Sequence, residues 1–395
     1  MKYAIIIPDG AADEPLDELA GLTPLASANI PNIDWIAANG RIGTVRNVPP
    51  DMAPGSDVAI LSVLGYDPTS CYTGRAPLEA AARGIDVGPD EWVFRCNLVT
   101  IINGIMEDHC AGHVSTEEAN AIMDQLRDAL QSDSLRFYRG VAYRHLMVTP
   151  GPVNVKTTPP HDILGEPIEK YLPTGKGAKL LRETMTRARD ILARCEVNDI
   201  RREMGENLAT DIWLWGQGTM PTLSNFAERF GMRAAAITAV DLIRGLSKLI
   251  GWDVLEVEGA TGFVDTNYAG KGARAVAAID DYDLVFVHVE APDEAGHNAD
   301  LAGKVHSLEQ IDLHVVGPIL RKLQAGAEDW RIMVLPDHPT PISLRTHTAE
   351  PVPFAIAGAR MEHILCEPFT EETAQASDLH IEKGCDLMEY FLTVR

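Results

Sequence analysis

Three short, largely apolar runs each lead to an acidic side chain. Tyr3-Ala-Ile-Ile-Ile-Pro8 ends at Asp9, Leu284-Val-Phe-Val-His-Val-Glu290 leads to Asp293, and Ile332-Met-Val-Leu-Pro336 ends at Asp337 and His338. Apolar runs of this length, bounded by turn residues, predict strands buried on both faces, as in a parallel sheet; periodicity alone leaves a buried helical stretch open. Elsewhere the period changes. Leu308, Ile311, Val315 and Ile319 recur at helical spacing through 304–325, and a second helix is predicted over 177–195. The alternation predicts α/β layering. Open parallel sheets bind ligands outside the carboxyl ends of their strands, so Asp9, Asp293 and Asp337 are expected to converge on one crevice.

The pattern changes character between 106 and 176. Ser115-Thr-Glu-Glu118 is a capping-box sequence, followed by Ile122, Leu126 and Leu130 on one helical face. Arg144-His-Leu-Met-Val-Thr149 predicts a strand, and 157–174 a proline-containing connection. A chain of 395 residues exceeds what one core usually serves. The predicted organisation is therefore a split domain, 1–105 with 177–395, carrying a smaller α+β insertion at 106–176.

Composition and charge narrow the partners. Hydrophobic residues make up 46% of the chain, mean hydropathy is −0.05, and no apolar stretch approaches a membrane span. The chain starts directly in a predicted strand with no signal-like segment. Its six cysteines, Cys71, Cys96, Cys110, Cys195, Cys366 and Cys385, form no metal or disulfide spacing, which predicts reduced thiols in a cytoplasmic protein. A formal charge of −23 argues against a nucleic-acid or membrane-surface partner. An anionic small molecule would need a local cluster of metal ions and arginines.

The strand-tip residues offer such a cluster. Carboxylates and imidazoles together suit Mn, Zn, Co or Fe, where an all-oxygen set would lean towards Mg or Ca. Asp293 and His297, four apart, would share one side of a helical turn. Taken alone that pair reads better as a surface ion pair or helix cap; the joint occurrence of Asp337-His338 after a second predicted core strand reverses that in favour of a metal centre. Ser56, in Pro54-Gly55-Ser56-Asp57-Val58-Ala59, has two readings: a helix N-cap, or a nucleophile aimed by a helix entrance beside a cation.

Long stretches of the chain resemble a known family. Pro8-Asp9-Gly10, Pro54-Gly55-Ser56-Asp57-Val58, Tyr72-Thr-Gly-Arg75-Ala-Pro-Leu-Glu79, Trp213-Leu-Trp-Gly-Gln-Gly218, Gly259-Ala-Thr-Gly-Phe-Val-Asp-Thr-Asn-Tyr268, Glu290-Ala-Pro-Asp293-Glu-Ala-Gly-His297, Pro336-Asp337-His338-Pro-Thr-Pro and Thr346-His347-Thr348 are similar to the archaeal-type 2,3-bisphosphoglycerate-independent phosphoglycerate mutases, members of the alkaline phosphatase superfamily. The resemblance implies an alkaline-phosphatase-like three-layer α/β sandwich with a mainly parallel sheet. It implies a transient phosphoryl on Ser56 and two divalent ions, Mn(II) foremost with Zn, Co or Mg as alternatives. Asp293, His297 and His347 would hold one; Asp9, Ser56, Asp337 and His338 the other. No 2,3-bisphosphoglycerate is implied, and the substrate would be a phosphoglycerate, its 3- and 2-phosphates being interconverted.

A mutase must retain its dephosphorylated intermediate, which gives the insertion a capping role. Arg75, Asp108, His113, Arg139 and Arg144 are the candidate substrate-holding residues, each with a plainer reading as a turn or surface side chain; His109, His145 and His161 are unassigned. Trp213 and Trp215 alternate as core strand positions do. A homoserine kinase-like phosphotransferase and a metal-dependent phosphomonoesterase would use the same centre. For the first, the chain lacks a phosphate-binding Gly-x-x-x-x-Gly-Lys-Ser/Thr, since Thr174-Gly-Lys-Gly177 has neither the leading glycine nor the terminal hydroxyl. A non-catalytic scaffold would be favoured by a missing ligand, and none is missing.

Overall fold

Strand Lys2–Pro8 lies at the heart of the larger sheet, as its unbroken run of apolar, partly β-branched residues dictates. It pairs in parallel with Leu284–Val289 on one side and Trp330–Val334 on the other. The computed structural model describes residues 1–151, 154–362 and 364–393. Across the sheet the order is Asp253–Val254, Ala234–Ile237, Leu284–Val289, Lys2–Pro8, Trp330–Val334, Val352–Gly358, Gly40–Val45 and His380–Ile381. Only the two pairings of Val352–Gly358 are antiparallel.

Alternate residues of the central strands face opposite layers. Ala4, Ile6, Val285, Val287, Ile332 and Val334 pack with Ile33 and Ile36 of helix Pro31–Ala38, Ala275 and Ile279 of helix Tyr268–Asp281, and Leu308, Ile311, Val315 and Ile319. On the other face Tyr3 meets Phe391 of helix Cys385–Thr393 edge-on, and Phe286 packs on Trp252. This is the mixed α/β, mainly parallel architecture expected. Each fully buried aliphatic side chain contributes about 1.5–3 kcal/mol relative to exposure, so the stacked Ile5, Phe286 and Met333, all 0% exposed, anchor the sheet. The helix predicted over 304–325 starts at Leu301 and carries a π-helical turn at Asp312–Val316, where the buried Asp312 carboxylate accepts from Ile33 N and Asn32 Nδ2.

Two compact units divide the chain: residues 1–72 with 222–395, and residues 73–221. The insertion is thus wider on both sides than 106–176. Its centre is the twelve-residue strand Glu91–Ile102, which pairs antiparallel with Arg144–Pro150 on one edge and Asp211–Thr219 on the other. Segments 73–105 and 177–221 follow because they supply that strand, its partner and helix Ala178–Leu192, whose Leu181, Met185, Ala188 and Leu192 share one core with Phe94, Leu98 and Trp213. Helix Thr116–Leu130 begins with the expected capping box: Glu118 N donates to Ser115 Oγ and Ser115 N to Glu118 Oε2. The connection at 157–174 contains two 3₁₀ turns, Pro160–Ile163 and Ile168–Tyr171.

Candidate metal centre

The parallel register that aligns Pro8 with Val289 brings Asp9 and Glu290 to the same edge of the sheet. Asp9 N continues the ladder by donating to Val289 O, and Leu335 N donates to Ile6 O, so the chain reaches Asp337 and His338 at that edge too. Asp9, Asp337 and His338 are fully enclosed, and Asp293 is 5% exposed. Helix Ala291–His297 carries Asp293 and His297 on one side, with Asp293 Oδ2 3.3 Å from His297 Nε2. His347 closes this group, its Nε2 2.9 Å from His297 Nε2 and 3.4 Å from Asp293 Oδ1.

Ser56 opens helix Ser56–Val63, while Gly55 takes the N-cap position and the serine side chain makes no cap bond. Its hydroxyl donates instead to Asp9 Oδ2 at 3.4 Å and lies 3.2 Å from His338 Nε2. The capping alternative therefore falls away. Asp337 sits beside this group, Oδ1 accepting from Gly10 N and Oδ2 lying 3.4 Å from His338 Nε2. Gly10 has φ +62°, and a Cβ there would come within 2.7 Å of the Asp293 backbone, so the turn after Asp9 requires glycine.

The electrostatics suit cations. Asp9 Oδ1 and Asp337 Oδ2 are buried and accept no hydrogen bond among the described residues. Burial and the neighbouring carboxylates of Asp337, Glu290 and Asp293 push Asp9 well above the usual carboxylate range. Asp293 goes the other way: against the effect of burial, hydrogen bonds from His297 and His347 and the charges of His347 and His338 hold it well below that range. The reciprocal bond raises His297 to about 9. Among the described residues these three aspartates find ion-pair partners only in histidines, a charge balance that divalent ions would complete. Donor atoms converge in two sets, Asp293–His297–His347 and Asp9–Asp293–His338. A third, Asp9–His288–Glu290, already faces an ammonium: Lys271 Nζ donates to the His288 carbonyl at 3.2 Å, and Glu290 holds up its pKa against burial.

His288 was not singled out from the sequence. It is enclosed within Leu284–Val289, its Nε2 2.8 Å from Asp9 Oδ2, and burial lowers it to about 3. An imidazole inside an otherwise apolar strand was the available signal.

Within the second unit the candidate residues separate. Arg95, on strand Glu91–Ile102, lies 4.3 Å from the centroid of Trp215 and 3.1 Å from Glu79 Oε1, and its buried Nε has no hydrogen-bond partner among the described residues. Arg75 Nε is 3.9 Å from the same Glu79 oxygen. From Trp215 a chain of edge-on rings runs through His161 and His109 to Tyr143, over which Arg144 lies. Burial lowers the Arg95 pKa, Glu79 opposing this and Arg75 and Arg144 adding to it. Arg75 and Arg144 are thus joined by Arg95, which sequence reasoning missed, and Trp215 is a platform for it as well as core.

The other three candidates lie elsewhere. Arg139 pairs with Asp124 on the surface. Asp108 anchors a turn, accepting from Cys110 N, Gly112 N and Asn207 Nδ2, and these bonds outweigh burial to hold it low. His113 is exposed at φ +51° in that turn. His145 is buried, with Nδ1 accepting from Gly140 N, and burial drops it to about 3.

A mainly parallel α/β sheet with buried carboxylates, imidazoles and a serine hydroxyl outside its strand ends defines a class: a metal-dependent enzyme built for hydroxyl-to-anion chemistry. The profile of "2,3-bisphosphoglycerate-independent phosphoglycerate mutase" matches residues 37–198. A protein of that name from Methanothrix thermoacetophila is 47% identical, over 99% of this chain and all of its own length. Among solved structures, a protein from Pyrococcus horikoshii is 32% identical with a TM-score of 0.85, covering 99% of this chain and 96% of its own. A cofactor-independent phosphoglycerate mutase from Thermoplasma acidophilum is 26% identical with a TM-score of 0.69, covering 99% of both chains. The chain belongs to the 2,3-bisphosphoglycerate-independent phosphoglycerate mutase family.

Proposed function

We propose that this chain interconverts 3-phosphoglycerate and 2-phosphoglycerate through a phosphoserine at Ser56, without 2,3-bisphosphoglycerate. The observation that carries the proposal is a serine at the first turn of a helix whose hydroxyl is spent on no cap and faces Asp9 and His338. Asp293, His297 and His347 would hold one divalent ion and Asp9, Asp337 and His338, with Ser56, the other; Mn(II) is the ion proposed. Bound there, the ions would favour the ionised serine and offset charge on the transferring phosphoryl.

Ser56 Oγ gives up its proton and attacks phosphorus as the bond to the glycerate C3 oxygen breaks, and that oxygen takes up a proton. Glycerate turns, and its C2 hydroxyl gives up a proton and attacks the phosphoserine, releasing Ser56, whose oxygen takes up a proton in turn. The second unit is assigned the task of keeping glycerate from leaving between the two transfers. Arg75, Arg95 and Arg144 are the groups proposed to grip its carboxylate and phosphate, guanidinium forks matching both. Asp108, His113 and Arg139 are left out of that grip. Burial of Arg95 against Trp215 supports the assignment, because a desolvated guanidinium binds an anion more strongly than a solvated one. No helix among the described residues is long and apolar enough to cross a membrane, and all six cysteines are free thiols; a cytoplasmic setting is part of the proposal.

An enolase-coupled assay supplied with 3-phosphoglycerate and Mn(II), without ATP or 2,3-bisphosphoglycerate, is expected to show turnover that chelation removes. Phosphorylation of homoserine with ATP, in place of that turnover, would contradict the reading, as would phosphate release without 2-phosphoglycerate.

A further inference from the structure

The loop between His338 and His347 contains one hydroxyl that touches ligands of both proposed ion positions. Thr340 is fully enclosed. Its Oγ1 donates to Asp293 Oδ1 at 2.5 Å and lies 3.3 Å from His338 Nδ1. A hydroxyl has one hydrogen and two lone pairs. With the hydrogen committed to a carboxylate that cannot donate, the contact to His338 has one polarity: Nδ1 carries the proton and Thr340 accepts it. The Nε2 lone pair of His338 is then left pointing at Asp9, Ser56 and Asp337, at 3.7, 3.2 and 3.4 Å.

We propose that Thr340 is the positioning residue that joins the two ion positions into one unit, aiming Asp293 and setting the tautomer of His338. The inference rests on the metal reading above and extends it to a residue that would itself bind no ion. The backbone around Thr340 holds the hydroxyl in place. Its N–H donates to Ala12 O, and its carbonyl accepts from Lys304 Nζ at 2.9 Å. Lys304 is fully enclosed and pairs with Asp13 at 2.7 Å, and Asp13 in turn accepts from Ile342 N. Glycines admit the residue: a Cβ on Gly10 would lie 2.6 Å from Thr340 Oγ1, and one on Gly296 2.6 Å from its carbonyl oxygen. Groups that orient metal ligands from behind typically carry about 10- to 100-fold in metal affinity.

The test is Mn(II) titration of metal-stripped protein by calorimetry, for wild type, Thr340→Val and Thr340→Ser. Nitrogen-15 NMR of the histidines reads the tautomer in parallel. Expected are two ions bound by the wild type, affinity about 10- to 100-fold weaker at both positions in Thr340→Val, near wild-type affinity in Thr340→Ser, and a protonated Nδ1 on His338. Unchanged affinity in Thr340→Val, or weakening at one position only, overturns the inference while leaving the metal reading standing. If Thr340→Val fails to fold, the wild-type spectrum still decides: a His338 proton on Nε2 overturns the inference. Wild-type protein that binds no Mn(II) overturns the metal reading itself, and the inference with it.

Discussion

The two charged clusters of this molecule are built on opposite plans. In the first unit, negative side chains crowd a crevice lined by backbone and imidazole, with Asp9 pushed up by burial and neighbouring carboxylates, and Asp293 held down, against burial, by its histidines. In the second, Arg95 leans on Trp215 and, with Arg75, faces the Glu79 carboxylate. The acidic cluster invites cations; the basic one suits an anion, in a chain whose overall balance is −23. A net-acidic protein can therefore handle an anionic substrate by segregating its charges into two sites of opposite sign. Each site should therefore be removable without disturbing the other.

The largest effect is expected from Asp293→Ala. It removes a carboxylate shared by both donor sets, and turnover should fall by about 10³-fold or more with loss of Mn(II) binding, as for other metal-dependent transfers. Next comes Arg95→Met. Loss of a charge-assisted contact worth about 1.5–3 kcal/mol should lower kcat/KM for phosphoglycerate about 10- to 150-fold. Mn(II) affinity by calorimetry should not move, and a parallel fall would break the division. Arg95→Lys should rescue little, because an ammonium lacks the planar fork that lies along Trp215.

A smaller effect concerns stability. His145 is neutral when folded, its pKa lowered from 6.5 to about 3 by burial. The unfolded chain takes up a proton below about pH 6.5, so this contribution is intact above that pH and is lost as the pH falls towards 3, at about 1.4 kcal/mol per pH unit. Denaturant melts from pH 7 to 4 should show that slope, and His145→Asn should reduce it by one proton. Smallest of all, Arg139→Ala should leave turnover within about twofold, since its surface pair with Asp124 belongs to neither cluster.

The acidic cluster was legible in the sequence and the basic one only in part, through Arg75 and Arg144, for a geometric reason. Asp9, Asp293, Asp337 and His338 lie at or just beyond strand ends, so the apolar run that makes each strand also announces its ligand. Arg95 is in mid-strand, and its partners Glu79 and Trp215 reach it only through helix packing and antiparallel pairing, which local patterns do not encode. The wider extent of the second compact unit, 73–221, was not legible for the same reason. Strands Glu91–Ile102 and Asp211–Thr219 fall in the segments assigned to the split domain, yet they pair with each other. Asp108 and His113 lie apart from the arginines; turn chemistry and site chemistry use the same residue types, and their segment is a turn with positive φ at Ala111, Gly112 and His113. Thr340 carried no local signal at all; its role rests on reaching Asp293 across the crevice.

On the proposed route the phosphoryl group rests on Ser56 between its two positions on glycerate. Enzyme turning over 3-phosphoglycerate should be quenched in acid and mapped by peptide mass spectrometry. A phosphoryl on Ser56 is expected in the wild type, absent from a Ser56→Ala variant that has lost turnover. An unmodified Ser56 in actively cycling enzyme, or a Ser56→Ala variant of undiminished activity, would contradict that route.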